Sequence, residues 1–208
     1  MSNELILAIS GNDIFSGGGL HADLATYTTN KQHGFVAVTC LTAMTEHGFE
    51  VIPVDPTTFA QQLNSLKDVP FSAIKLGLLP NVEVADLALD YVKDHADIPV
   101  VLDPVLVCKE THDVEVSALR DELIKFFPSV TIITPNLPEA EILTQSKIQS
   151  LDEMKEAARK LHELGAANVV VKGGNRLNKE KAIDVFYDGK DFTVFEEDVL
   201  EKNNTGAG

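Results

Sequence analysis

The chain is poor in several things that would assign it to other large classes of protein. Only two cysteines, Cys40 and Cys108, occur in 208 residues. That is too few for a disulfide framework and in keeping with a reducing cytoplasm. Basic residues are scarce: 17 Lys and Arg stand against 32 Asp and Glu, a formal net charge of −15. Nucleic acid and anionic membranes both reward basic patches, so neither is expected as a main partner. Long apolar runs are missing too. Leu5–Ile9 reads as a buried strand rather than a leader, and nothing approaches the roughly 20 residues of a membrane-spanning helix. The six histidines (His21, His33, His47, His95, His112 and His162) have no metal-ligand spacing. There is no internal repeat, low-complexity tract or linker.

What remains is a composition of 44% hydrophobic and 24% charged residues, that of one soluble globular domain over 1–208 with a substantial core. Strand-like and helix-like stretches alternate along it. Strands are expected at 4–9, 35–41, 73–76, 99–102, 130–133 and 168–171. Helices are expected at 20–32, 57–66, 82–95, 114–127 and 151–164. This order predicts an α/β fold with a mostly parallel sheet and crossover helices on its faces. Near the end, 182–187 and 191–195 flank Asp188-Gly189-Lys190 and read as an antiparallel hairpin. Pro53, Pro56, Pro80, Pro104, Pro135 and Pro138 fall at the expected element boundaries.

In open parallel sheets ligands bind at the carboxyl ends of strands, and several candidate segments fall there. Ser10-Gly11-Asn12-Asp13 and Ser16-Gly17-Gly18-Gly19 join the first strand to the first helix. The glycines allow close backbone approach, and the helix start is expected to offer free N–H donors; a plain flexible turn is the alternative. Asp103 ends a buried strand and could hold a magnesium ion or cap a turn. Asn136 and Glu139 are three residues apart, facing together on a helical turn, and the same spacing resembles a capping box. Lys172 follows an all-valine strand and precedes two glycines, so it could reach a phosphate or simply face solvent. Asn204-Thr205-Gly206-Ala207-Gly208 suits a turn with inward N–H groups, an anion hole when a helix follows.

Taken together, AISGNDIFSGGGLHADL, KLGLLP, VVLDPVLVCK, ITPNLPEAEIL, VVVKGG and NTGAG resemble the ribokinase superfamily. The resemblance is to its branch of vitamin-B6 kinases and hydroxymethylpyrimidine kinases, and it covers the chain from about Leu5 to Gly208. It implies a ribokinase-like three-layer sandwich with a mostly parallel central sheet and a small lid. It also implies transfer of the ATP γ-phosphoryl group to a hydroxymethyl group on a pyridine or pyrimidine. Asp103 and Glu139 would manage Mg2+, Asn136 would lie beside the triphosphate and Lys172 would neutralise phosphate charge. Asp184 would lie near the nucleotide. The Thr205, Gly206, Ala207 and Gly208 amides would stabilise charge that builds during transfer. Phosphoryl transfer needs mostly positioning and electrostatics, which suits such a division of labour.

Gly11, Asp13, Thr42, Met44 and Leu78 align with positions lining the acceptor site in that family. Pyrimidine kinases of the branch typically carry glutamine where this chain has Met44. A thioether offers only soft apolar contact where an amide could pair with an aminopyrimidine edge. Met44 therefore favours a pyridine ring: pyridoxal, pyridoxine or pyridoxamine. Cys108, in the lid-like segment, could add reversibly to the pyridoxal aldehyde, with a half-buried structural thiol as the alternative. His112 is a further lid residue that could touch substrate. Cys40 is expected in the core and His162 at the surface.

The resemblance places a general base directly after Gly208, followed by further helices. The 208 residues are accordingly expected to be a portion of a longer protein, and relatives are commonly dimers. The competing readings are a hydroxymethylpyrimidine (phosphate) kinase of thiamine synthesis and a non-catalytic nucleotide- or vitamin-binding protein.

Overall fold

A computed structural model of the chain describes residues 4–106 and 113–200, the side chains of 113–115 excepted. Cys108, His112 and the turn Thr205–Gly208 lie outside the described residues. The described residues divide into two compact units, the first running to Val101 and the second beginning at Leu102.

In the first unit, β1 (Leu5–Asn12) lies parallel to both β2 (His33–Thr45) and β4 (Ala73–Leu76). Leu7, Ala8 and Ile9 are fully buried, as a central parallel strand covered on both faces requires. Between these strands run α1 (Gly19–Thr29), α2 (Pro56–Leu66) and, after β4, α3 (Val82–Asp94). The last two begin where local chemistry dictates. Asp55 accepts from the Thr58 amide ahead of α2, and Asn81 accepts from the Val84 amide ahead of α3, each satisfying an N–H that the helix leaves free. Proline at the first position of α2 has no N–H to lose. The α3 face that carries Val84, Ala85, Ala88, Leu89, Tyr91 and Val92 is buried, the helical period of the sequence made visible.

Beyond its parallel part, β2 continues into an antiparallel hairpin with β3 (Gly48–Pro53). The sequence reading ends β2 at Leu41 and misses β3. Its residues are half exposed, so the hydrophobic alternation that marks a strand is weak there.

In the second unit, the end of β5 (Val100–Leu102) pairs with β6 (Ile132–Ile133) through the Thr134 amide and the Leu102 carbonyl, 2.9 Å. Next come β7 (Val169–Lys172), parallel to β6, and the antiparallel β8 (Lys181–Tyr187) and β9 (Phe192–Asp198). Helices α4 (Asp113–Ile124), α5 (Leu137–Thr144) and α6 (Leu151–Glu163) connect them. The β8–β9 hairpin is the one expected around Asp188-Gly189-Lys190. Asp188 Oδ1 accepts from the Lys190 and Asp191 amides at 2.8 and 2.7 Å, and Gly189 takes the left-handed conformation at φ +88°. His162, expected at the surface, is half-buried: Nδ1 lies 2.7 Å from the Ala166 carbonyl and its ring packs edge-on against Tyr187. No described helix is long and apolar enough to cross a membrane.

Candidate active site

The second unit gathers its candidate residues at the carboxyl ends of β5, β6 and β7. Asp103 follows β5 directly. Lys172 closes β7, and its Nζ lies 3.1 Å from Asp103 Oδ1, with both side chains only partly exposed (35% and 28%). Asn136 follows β6 and forms a single parallel bridge to Lys172, which fixes the start of α5 beside the lysine. Asp184 sits opposite Lys172 in the β7–β8 register. Its Oδ1 accepts from the Gly173 and Gly174 amides at 3.0 and 3.4 Å, holding the glycine turn behind the lysine.

Asn136 and Glu139 form a complete capping box. The Asn136 side chain accepts from the Glu139 amide at 3.0 Å, and Glu139 Oε2 accepts from the Asn136 amide at 2.8 Å. The capping alternative is therefore realised, and it aims the buried Glu139 carboxyl (3% exposed) at the strand ends. Burial is the main reason its pKa rises from 4.5 to about 7; the Asp103 charge adds to the rise, while the Asn136 amide and Lys172 oppose it. Sequence reasoning has no helix at 137–144, because eight residues show too little periodicity.

A carboxyl whose folded pKa lies above its unfolded value binds a proton more tightly in the native state. The stability this gives is present below about pH 4.5 and is lost as pH rises through about 7. Glu139→Gln keeps an oxygen for the Asn136 amide but cannot ionise. Its unfolding free energy is expected to stay flatter across that window than the wild type's, the difference reaching roughly 3 kcal/mol at most. Urea unfolding at a series of pH values checks this, and identical pH slopes for the two proteins would contradict it.

The first unit carries the other candidates. The loop after β1 is held by its own aspartate, while the N-cap of α1, Gly18, makes no side-chain capping bond to the helix start. Asp13 Oδ1 accepts from Phe15 N at 2.9 Å, and Oδ2 accepts from Gly17 N and Gly18 N at 3.1 and 2.9 Å. An acidic side chain within the segment thus takes the Gly17 and Gly18 amides just ahead of α1. Thr42 Oγ1 accepts from Ile14 N at 2.9 Å, tying the same loop to β2. Gly11 lies against Cys40 and Leu78: a Cβ there would come within 2.5 Å of Cys40 Sγ and 3.5 Å of Leu78 Cδ2. Cys40 itself is fully buried, as expected.

Met44 is 61% exposed and pairs across the hairpin with Phe49. The Phe49 ring stacks on Phe15, with centroids 6.3 Å apart. Met44, Phe49 and Phe15 thus join as one open apolar wall beside the Asp13 loop. Sequence reasoning finds Met44 only by resemblance and misses both phenylalanines. The signal for Phe49 is the β3 strand it belongs to.

The fold and these strand-end clusters are those of a ribokinase-like phosphotransferase. The family model described as phosphomethylpyrimidine kinase matches residues 13–208, and the chain belongs to that family. Among curated proteins it is similar to the pyridoxine kinase of Bacillus subtilis (strain 168), 39% identical over 218 residues, covering 100% of this chain and 79% of that protein. Among solved structures it is similar to the Bacillus subtilis pyridoxal kinase in its ADP complex, with a TM-score of 0.89 and 37% identity. That match covers 97% of this chain and 78% of the other. The pyridoxal kinase of Staphylococcus aureus, solved with AMP-PCP and pyridoxal, matches with a TM-score of 0.88 and 31% identity, covering 97% and 74%.

Proposed function

We propose that the protein carrying this chain transfers the γ-phosphoryl group of ATP to the 5′-hydroxymethyl group of pyridoxal or pyridoxine. The observation that carries this reading is the strand-end cluster of the second unit: Asp103, Asn136, Glu139, Lys172 and Asp184. An acidic protein can attract a polyanion only through local devices, and this cluster supplies a cation, a helix start and three carboxylates. Similarity to kinases solved with ADP, and with AMP-PCP and pyridoxal, supports the same assignment.

In this reading Lys172 leaves Asp103 to meet the phosphate oxygens, a strand-end ammonium serving as a point charge. Asn136 lies beside the triphosphate, and Asp184 keeps the Gly173–Gly174 turn open to the nucleotide. Asp103 and Glu139 are hard oxygen donors close enough for one charge to raise the other's pKa. Among the described residues no group of three or more His, Cys, Asp or Glu could hold a metal. Two carboxylates suit Mg2+, which normally completes its shell with phosphate oxygens and water. When bound, the ion would neutralise charge on the transferring phosphate.

The acceptor oxygen forms a bond to the γ-phosphorus as the bond to the β–γ bridging oxygen breaks, releasing ADP. The hydroxyl proton passes to a general base, and the Thr205–Gly208 amides take up the charge that builds during transfer. Gly11, Asp13, Thr42 and Leu78 shape the acceptor end. Met44, with Phe49 and Phe15, gives the ring an apolar wall. Cys108 is the thiol offered to the acceptor aldehyde, in a cytoplasmic enzyme that keeps it reduced. Leu41 and Ile52, paired on the opposite hairpin face and 48% and 45% exposed, support a homodimer.

The description of the matching family, phosphomethylpyrimidine kinase, favours a rival class of acceptor, the pyrimidines, of which hydroxymethylpyrimidine offers the free alcohol. Steady-state comparison of kcat/KM for pyridoxal and hydroxymethylpyrimidine, on the intact protein, tests between them. Pyridoxal is expected to be preferred, and Met44→Gln is expected to shift the ratio about tenfold toward the aminopyrimidine, because an amide can pair with its edge. Preference for the pyrimidine by the wild type would overturn the reading.

A further inference from the structure

Lys75 is an oddity that the phosphoryl-transfer account leaves unused: a lysine in the short central strand β4, beside the fully buried Leu76. It pairs with Ala8 in the β1 register, and its ammonium lies 3.0 Å from Asp23 Oδ2 of α1, with side-chain exposures of 23% and 14%. On the same helix, burial and then the Asp23 charge push the Tyr27 pKa up, and the ion-pair partner of Asp23 is the Lys75 ammonium.

The ammonium also leans toward the carboxyl end of the sheet. A Cβ on Gly77 would come within 2.8 Å of Lys75 Nζ and would overlap Ser10 Oγ, so glycine at 77 is required by the space these two side chains occupy. Ser10 is 1% exposed, and the Gly77 amide donates to the Ile9 carbonyl at 2.9 Å. Ser10 and Gly77 directly precede Gly11 and Leu78, two of the acceptor-end residues. The other end of the link is α1, whose first residue, Gly19, packs so closely on the Gly11 carbonyl that an added Cβ would overlap it.

We infer that Lys75, through its ion pair with Asp23, is a positioning residue for the acceptor site. The pair bolts α1 to β4, and this sets the height of the α1 start against Gly11. That height in turn sets the shape of the Asp13-held loop and the spacing of the strand ends bearing Gly11 and Leu78. A partly buried pair is suited to the task, since its geometry is held by packing and little screened by solvent. A misplacement of this kind acts on acceptor binding and leaves the nucleotide cluster alone.

The inference rests on the acceptor assignment proposed above, and two measurements on the intact protein keep the two separable. In steady state, Lys75→Met is expected to raise the acceptor KM about tenfold while the KM for ATP stays within about twofold. Lys75→Arg, which restores the charge, should recover most of the loss. An unchanged acceptor KM, or an equal rise in both KM values, would overturn the inference. The second measurement needs no turnover: hydrogen exchange at the Phe15, Gly17 and Gly18 amides should speed up at least about fivefold in Lys75→Met. Unchanged exchange there would contradict the bolt even if the acceptor proved to be a different alcohol. Should Lys75→Met not fold, Asp23→Asn breaks the same pair at constant shape and is read the same way.

Discussion

Lys172→Met is expected to lower kcat by about 10²–10³-fold, the usual cost of losing one preorganised group that stabilises transition-state charge. Stability should hardly change. The Lys172–Asp103 pair is 35% and 28% exposed, and ion pairs open to solvent contribute only about 0–1 kcal/mol. That contrast makes the result diagnostic. A lysine kept for the fold would show its effect in the unfolding midpoint, whereas a lysine kept for phosphate shows it in turnover. Steady-state kinetics beside urea unfolding decide the matter. Near-normal kcat with a large loss of stability would mean that the lysine serves Asp103 alone.

Asp103→Asn is the second large effect. Asparagine keeps the size and one acceptor oxygen but removes the charge, so Mg2+ should be held at least about tenfold more weakly and kcat at saturating Mg2+ should fall about 10²-fold. There is a linked effect on Glu139. Because the Asp103 charge raises the Glu139 pKa, its removal should move that pKa down toward the ordinary carboxylate range. A Mg2+ titration of activity, together with the pH dependence of stability, reads both consequences. If the Mg2+ midpoint stays at its wild-type value, Asp103 does not manage the ion.

Much of this site is legible in the order of residues alone. Asp103 sits directly after a short apolar strand, Lys172 closes one and Asn136 follows one within three residues, and strand ends in a parallel sheet are where ligands bind. Lys172 and Asp184 are harder to connect. They are twelve positions apart and meet only because β7 and β8 pair antiparallel in a register that no local pattern specifies. Glu139 shows a different limit: its capping spacing is legible, but its burial and its raised pKa are products of tertiary packing.

The first unit is less completely legible. In the loop after β1, no local pattern signals that Asp13, a few residues upstream, folds back onto the Gly17 and Gly18 amides. The β2–β3 hairpin escapes notice because its half-exposed residues lack clean alternation. Phe49 goes with it, along with its contact to Phe15. Lys75 is visible as a charge inside an apolar strand, but its partner Asp23 lies 52 positions away, beyond any local signal.

The central claim is that the second-unit cluster drives phosphoryl transfer from ATP to a vitamin-B6 alcohol. The most direct test is a coupled ADP-release assay on the intact protein with MgATP, run with and without pyridoxal. ADP release that depends on pyridoxal and yields pyridoxal 5′-phosphate is the predicted result. Release at the same rate without an acceptor, or with hydroxymethylpyrimidine as the sole productive acceptor, would contradict it.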